Sequence, residues 1–219
     1  MQLPTSIQAS SDPCEHSLSN ACSTVYQNSL EWKRWRVEYH AERAQAVWDE
    51  LFSAGTPVVV GGTDWEETQF ASTAETEAAA QVLHSMADVL AQIINQAILG
   101  GKLAEQEVTL AGVLKELRRQ KIATALVSKV EELQKSAEFD YVNAFVNTLK
   151  HRRLLDTEYR AEFGKNARNA EGVRFKAFSY KGKQYPVTWA RDILGPYKTK
   201  IIELISYVGN AINDHLREV

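Results

Sequence analysis

Apolar residues recur at helical spacing along most of the chain. Between residues 73 and 99, Val82, Met86, Val89, Leu90, Ile93, Ile94 and Ala97 follow i, i+4, i+7, i+8, i+11, i+12 and i+15, and Gly100-Gly101 end the run. That period predicts a long core helix. Upstream, NSLEWKRWRVEYHAERAQAVWDELFSAG (28 to 55) mixes Trp32, Trp35, Tyr39 and Trp48 with charges, and reads as an amphipathic helix opened by Ser29 and closed by Gly55. TPVVVGGTDW (56 to 65) joins the two as a loop or short extended stretch, because Pro57 and Gly61-Gly62 punctuate a β-branched run.

A third apolar pattern (Leu110, Val113, Leu114, Leu117) and a fourth (Ile122, Leu126, Val130, Leu133) are separated only by RRQK, a connection short enough to favour antiparallel neighbours. The fifth helix starts near Ser136, a capping hydroxyl, with Glu138 and Asp140 at the positive end of the dipole. It is expected to continue through Leu155 and on towards Phe163. The period then changes: VRFKAFSY, a KGK turn and QYPVTW alternate as a β-hairpin over 173 to 189, with Gly182 in the turn. A last helix, Pro196 to Arg217, carries the stripe Ile201, Leu204, Ile205, Val208, Ile212 and Leu216. The fold class is mainly α, a helical bundle with one β-hairpin near the C-terminus. Residues 1 to 27 read as a polar, flexible segment and 28 to 219 as one domain.

Composition changes this picture in two places. No run approaches the roughly 20 apolar residues that cross a bilayer, and the opening residues lack the order of a secretory signal, so a cytoplasmic protein without membrane contact is expected. Cys14 and Cys22, the only cysteines, fall in the Ser-rich opening, as free thiols or as a small loop disulfide. His16 lies between them, but a fourth ligand is not evident, and neither metal nor cofactor is assigned.

Charge is the second. From Thr148 to Lys200 there are 13 Lys and Arg against five Asp and Glu, net +8, which leaves 12 cations against 23 acids and -11 in the remainder. Either the two parts neutralise each other on folding, or the basic part forms a patch for phosphates such as those of RNA.

No Walker lysine follows Gly61-Gly62, and G-x-S-x-G and H-E-x-x-H are absent, so the familiar classes that use them are unsupported. The candidate chemistry sits in FVNTLKHRRLL (145 to 155). At about 100° per residue from Val142, Phe145, Val146 and Leu149 form the core stripe, whereas Asn147 falls near ~140° and His151 near ~180°. That far side also carries Ala144, Thr148, Leu154 and Leu155, and a helix apolar on two sides is either central or covered by a partner. Asn147 and His151 are neighbours at i and i+4. An imidazole beside an amide and among Lys150, Arg152, Arg153 and Arg160 suits acid–base work at a phosphodiester, with the cations holding the phosphate. The same two residues also suit a structural role in helix packing.

The long helix at 75 to 99, the further bundle helices and the stretch FVNTLKHRR together resemble the HEPN superfamily of helical bundles, over about residues 75 to 160, and above all its N-x-x-K-H-R members. The resemblance implies a metal-independent ribonuclease, or a degenerate relative that binds RNA, in bacterial stress or phage defence. It further implies a site at a dimer interface, built from an R-x(4-6)-H motif. On this pattern His151 matches the histidine and Asn147 the polar position after the arginine. The arginine itself is missing: positions 144 to 146 hold Ala144, Phe145 and Val146, which leaves Lys150, Arg152 or Arg153 to supply the cation. Arg34 to His40 repeats the spacing, but in the first helix and with Trp35 after the arginine, and is read as chance.

Three functions follow as expectations. The first is an HEPN-like homodimer, paired through the helix of Asn147 and His151, that acts on RNA with Tyr180, Tyr185 and Trp189 available for stacking. The second is a non-enzymatic bundle that pairs with a protein partner. The third is a nucleotide-binding bundle.

Overall fold

The computed structural model describes residues 13–55, 59–151, 154–162 and 170–218, with the backbone alone for 13–27, 161–162 and 170–171. In chain order the helices are α1 (Pro13–Ser53), α2 (Thr63–Ala97), α3 (Leu110–Gln120), α4 (Thr124–Lys135) and α5 (Ala137–His151). Five short strands follow: β1 (Thr157–Glu162), β2 (Ala170–Phe175), β3 (Phe178–Tyr180), β4 (Lys183–Tyr185) and β5 (Thr188–Trp189). A helical turn α6 (Ala190–Asp192), a π-helical turn (Ile193–Tyr197) and α7 (Lys198–Glu218) close the described chain. The protein is a mainly α bundle with a small antiparallel strand region near its C-terminus.

The hydrophobic period of α2 makes it the centre. Leu83, Met86, Leu90, Ala91 and Ile94 are buried, and α2 packs against α1, α3, α5 and α7. Each such large side chain contributes roughly 1.5–3 kcal/mol by leaving water. Against α1 the seam is made of small residues: Ala44, Ser72, Thr76, Ala79 and Ala80 are buried there or beside it, and Ser72 Oγ donates to the Ala44 carbonyl at 2.9 Å. At the open end of this pair, Trp48, Trp65 and Tyr159 of β1 pack with ring centroids 4.4 to 5.2 Å apart.

Both of the first two helices start earlier than expected. Helix α1 begins at Pro13, not at Ser29, so part of the segment expected to be flexible is helical; a proline is well suited to a first helical turn, where its missing N–H is not needed. Cys14, His16 and Cys22 fall where the backbone alone is described. Helix α2 begins at Thr63, so Trp65 is a buried helical residue and not part of a loop; Asp64 and Glu66 complement the helix dipole in its first turn. Residues 56–58 lie outside the described chain.

Helix α5 opens as expected, with Ser136 Oγ accepting from the Phe139 N–H at 3.2 Å. It ends at His151, and residues 157 to 162, expected to prolong it, form β1 instead. Thr157 and Tyr159 suit a pleated surface, and the Lys176 N–H donates to the Asp156 carbonyl at the strand's entry. The second apolar side of α5 is covered within the chain at Ala144, Thr148 and Leu155, which are buried, while Leu154 is exposed beyond the helix end; the helix meets α2, α4, α7 and β3. Of the two explanations open to a two-faced helix, the central position holds, and no partner copy is needed to cover that side.

The hairpin expected over 173 to 189 is present in two rungs. Phe178 faces Tyr185 and Tyr180 faces Lys183 near the turn; lower down, Phe175 faces Thr188 and Arg174 faces Trp189. The register runs on unchanged across Lys176-Ala177 and Pro186-Val187, where Pro186 has no N–H to give the ladder. Lys181 and Gly182 both take positive φ, 49° and 79°, the backbone that a two-residue hairpin turn requires. Strand β2 is shared, pairing on its other side with β1 from Thr157↔Phe175 to Glu162↔Ala170. The last helical segment starts at Ala190, ahead of the expected Pro196, because the π-helical turn accommodates a proline that an α-helical ladder would reject.

Candidate functional site

Asn147 faces a cleft of about 540 Å³ between α2, α5 and the hairpin tip. His84 and Asp88 of α2, Asn143 and Asn147 of α5, and Tyr180 and Lys181 of the turn are among its lining residues. Asn147 Nδ2 donates to the Asn143 carbonyl at 2.7 Å and to Asn143 Oδ1 at 3.0 Å. His84 Nε2 lies 3.0 Å from the same Oδ1.

The backbone carbonyl settles the proton positions in this network. A carbonyl only accepts, so the Asn147 atom facing it is the amide nitrogen, and the Asn143 atom that this nitrogen also meets is the oxygen. His84 therefore donates through Nε2–H, and in the neutral ring Nδ1 is left as an acceptor. Nδ1 is buried without a hydrogen-bond partner among the described residues, and Asp88 Oδ2 lies 3.9 Å away. The ring is held flat over Phe139, 6° from parallel with centroids 6.2 Å apart.

On the α1 side, cations lie near the lining residue Asp88. Lys33 of α1 donates to Ser85 Oγ at 2.8 Å, one position along α2 from His84. Burial, with Arg36 and Lys150 beside it, lowers the pKa of the Lys33 ammonium, and Asp88 works the other way. Lys33, Arg36, Lys150 and Asp88 thus share one electrostatic neighbourhood.

The structure brings together only some of the expected site residues. Asn147 lines the cleft, and Lys150 is exposed near Lys33. His151 is exposed at the last position of α5 and does not line the cleft. Arg160 is exposed on β1, opposite Gly172 of β2, and Arg152 and Arg153 lie outside the described residues. The residues missed by sequence reading are His84, Asp88, Asn143 and Lys33. For three of them the signal was present as two polar pairs at i and i+4, His84 with Asp88 and Asn143 with Asn147, set among the buried positions of core helices; Lys33 had none.

Other expectations divide in the same way. Tyr185 is buried, stacked on Phe178 at 5.1 Å, so it fixes the hairpin and is not free for a ligand. Tyr180 lines the cleft, and Trp189 is flanked by Arg174 and Arg191. The basic segment is partly neutralised by the acidic remainder, since Lys183 pairs with Asp140 at 2.6 Å and Lys198 pairs with Glu38. Arg34 is tied to Glu31 on the exposed face of α1 at 2.9 Å, and His40 crosses to Glu75 of α2 at 2.6 Å, so the two residues of the second arginine–histidine spacing are engaged separately. Another hollow, between α4 and α7, is less organised: its Tyr207 is bonded to Glu203, and Lys129 lies over the Tyr207 ring.

Fold and cleft together define a helical bundle with a polar groove beside its central helix. No family model matches the chain, and neither a curated protein nor a solved structure does. Among the described residues, no helix is long and apolar enough to cross a membrane.

Proposed function

We propose that this protein binds single-stranded RNA along the cleft of His84, Asn143 and Asn147, as the binding counterpart of the HEPN-like ribonucleases its motif helix resembles. The observation that carries this reading is the shared neighbourhood of Lys33, Arg36 and Lys150 next to a cleft of directed amide and imidazole groups. Clustered cations supply sequence-independent phosphate attraction, and an adjacent ring such as Tyr180 supplies a stacking face. Binding rather than cleavage is supported by the missing arginine and by the exposed position of His151 outside the cleft.

The test is fluorescence anisotropy with labelled single-stranded RNA over a salt series, with parallel incubation in EDTA to detect cleavage. The logarithm of the affinity should fall linearly with log salt, and Lys33→Ala with Lys150→Ala should flatten the slope. A salt-independent signal, or none, removes the reading; cleavage lost in His84→Ala or His151→Ala makes the protein a ribonuclease.

A second reading rests on a different surface. Trp32, Trp35 and Tyr39 are 66%, 61% and 58% exposed at i, i+3 and i+7 of α1, a stripe suited to a protein partner or a second copy of the chain. Sedimentation velocity of the parent and of Trp32→Ser with Trp35→Ser decides whether this stripe makes the homodimer. A mass that stays monomeric across concentrations removes self-association.

A further inference from the structure

We infer that two copies of this chain pair through α1 as a parallel, in-register two-stranded coiled coil, with Trp32 and Trp35 at its centre. The inference rests on the reading of the aromatic stripe of α1 as a self-association surface and adds its geometry.

Apolar residues run along two sides of α1. One side, with Val37 and Ala44 buried, packs on the chain's own α2. At about 100° per residue, Trp32, Trp35 and Tyr39 lie about 140 to 160° from Val37, on the opposite side, where all three are exposed. A helix apolar on two sides is central or covered by a partner. Helix α5 is central, whereas α1 keeps its outer stripe in solvent. The stripe alternates steps of four and three through Asn28, Trp32, Trp35 and Tyr39, and the sequence of the same helix continues the alternation upstream at Val25, Ala21 and Leu18. That strict 3.5-residue period is the narrow seam of a coiled coil, not the wider face that docks on a globular surface.

The surface already has the shape that such a seam requires. Asn28, Glu31, Trp32 and Trp35, at i, i+3, i+4 and i+7, line a hollow of about 210 Å³. Four residues at that spacing form the hole that receives a knob from a facing helix, and in a parallel, in-register pair the knob is Trp32 of the second copy.

Charge fixes the direction. With Trp32 and Tyr39 at a and Trp35 at d, Glu31 takes the flanking g position and Arg36 the e position. Parallel strands bring g of one helix against the following e of the other, so Glu31 meets Arg36 of the second copy on both sides of the seam. Antiparallel strands set like flanking positions together, acid against acid and cation against cation. Arg36 is exposed and has no ion pair or hydrogen bond among the described residues. Arg34 and the Trp35 indole N–H both donate to Oε1 of Glu31, at 2.9 and 2.7 Å, which leaves Oε2 open to a further cation. The second of these bonds also satisfies the indole N–H that the seam would bury. Beyond Tyr39 the pattern stops, because Glu38, the next g residue, is held by Lys198.

The experiment applies sedimentation velocity and a disulfide trap to the full chain without RNA. Across a concentration series the parent should pass from monomer to dimer, and Trp32→Ser with Trp35→Ser should stay monomeric. Arg36→Glu and Glu31→Arg, each alone, set like charges together on both sides of a parallel seam and should weaken the dimer at least about tenfold. An equal mixture of the two variants should recover it. Both residues are exposed, so their variants fold. In an antiparallel pair Arg36→Glu only exchanges one like-charge contact for another, and the dimer would be unchanged. With Cys14→Ser and Cys22→Ser in place, Ala21→Cys and Asn28→Cys, made separately, should each cross-link to its own copy on oxidation. They stand about 10 Å apart along the helix, so an antiparallel pair joins at most one of them. A dimer indifferent to Arg36→Glu, or one in which at most one of the two cysteines cross-links, overturns the parallel seam and leaves the stripe as a self-association surface. A chain that stays monomeric, or a dimer indifferent to Trp32→Ser with Trp35→Ser, removes the stripe reading and the inference together.

Discussion

His84 and Asn143 meet between α2 and α5 with Nε2 and Oδ1 3.0 Å apart, although they stand 59 positions apart in the chain. Each is held from behind. Asn147 and its bond to the Asn143 carbonyl fix the amide, and Phe139 stacks under the imidazole. A pair so constrained fixes the Nε2–H of His84 as the donor to Asn143 Oδ1.

That constraint sets a contrast between two variants. Asn143→Ala leaves the buried His84 N–H without its acceptor and should cost about 1–3 kcal/mol of stability in urea unfolding. His151→Ala, at an exposed helix end, should stay within about 0.5 kcal/mol of the parent. If His151→Ala cost as much as Asn143→Ala, His151 would have a packing role that its exposure does not show.

Asn95 is buried and ties down the segment after α2. Its Nδ2 donates to the Leu103 carbonyl at 3.2 Å and its Oδ1 accepts the Leu103 N–H at 3.0 Å. Asn95→Leu breaks both bonds at once, and a loss of roughly 1–3 kcal/mol is expected. Hydrogen exchange at Leu103 should quicken in parallel, and unchanged protection there would refute the assignment.

Tyr141 gives the protein an alkaline limit. Burial pushes its phenol from the ordinary 10.0 up to about 12, so the folded state holds the proton more tightly than the unfolded one. The contribution is full below about pH 10 and disappears as pH rises towards 12. It amounts to roughly 2–3 kcal/mol. In Tyr141→Phe, the decline in melting temperature across this window should be shallower than in the parent. An identical decline would show that other groups carry it.

Phe145 sits fully buried at the middle of α5, edge-on to Phe175 at 4.8 Å. Truncation to alanine should cost about 3–5 kcal/mol by equilibrium unfolding. The loss should also release β2 and the hairpin, read as faster exchange in residues 173–189. A cost below about 1 kcal/mol would mean that the core closes around the gap.

Much of this fold was legible because its helices bury one stripe each. The stripes of α2, α3, α4 and α7 follow from apolar spacing, the start of α5 from Ser136, and the hairpin turn from Gly182. Strand β1 was not legible, since TEYRAE is short, polar and adjacent to a helix, and only its pairing with β2 and the packing of Tyr159 on Trp48 and Trp65 decide its form. The early start of α2 was hidden for a similar reason: Trp65 follows a glycine pair, and its burial comes from α1. The site was half legible. Asn147 and Lys150 were visible in the motif helix, but periodicity places His84 only on a core helix, and nothing local tells that Asn143 will meet it.

The unbroken register of the hairpin separates two jobs that the chain performs. Its lower rung, with Phe175, is part of the core, while Tyr180 and Lys181 at the tip form one lip of the cleft. Substitutions at the tip alter what the groove admits with little effect on what holds the bundle together. The rim of the cleft and the core thus sit at opposite ends of one hairpin, so the rim can be rebuilt through a few turn residues while the bond of His84 to Asn143 and the packing of α2 on α5 stay as they are.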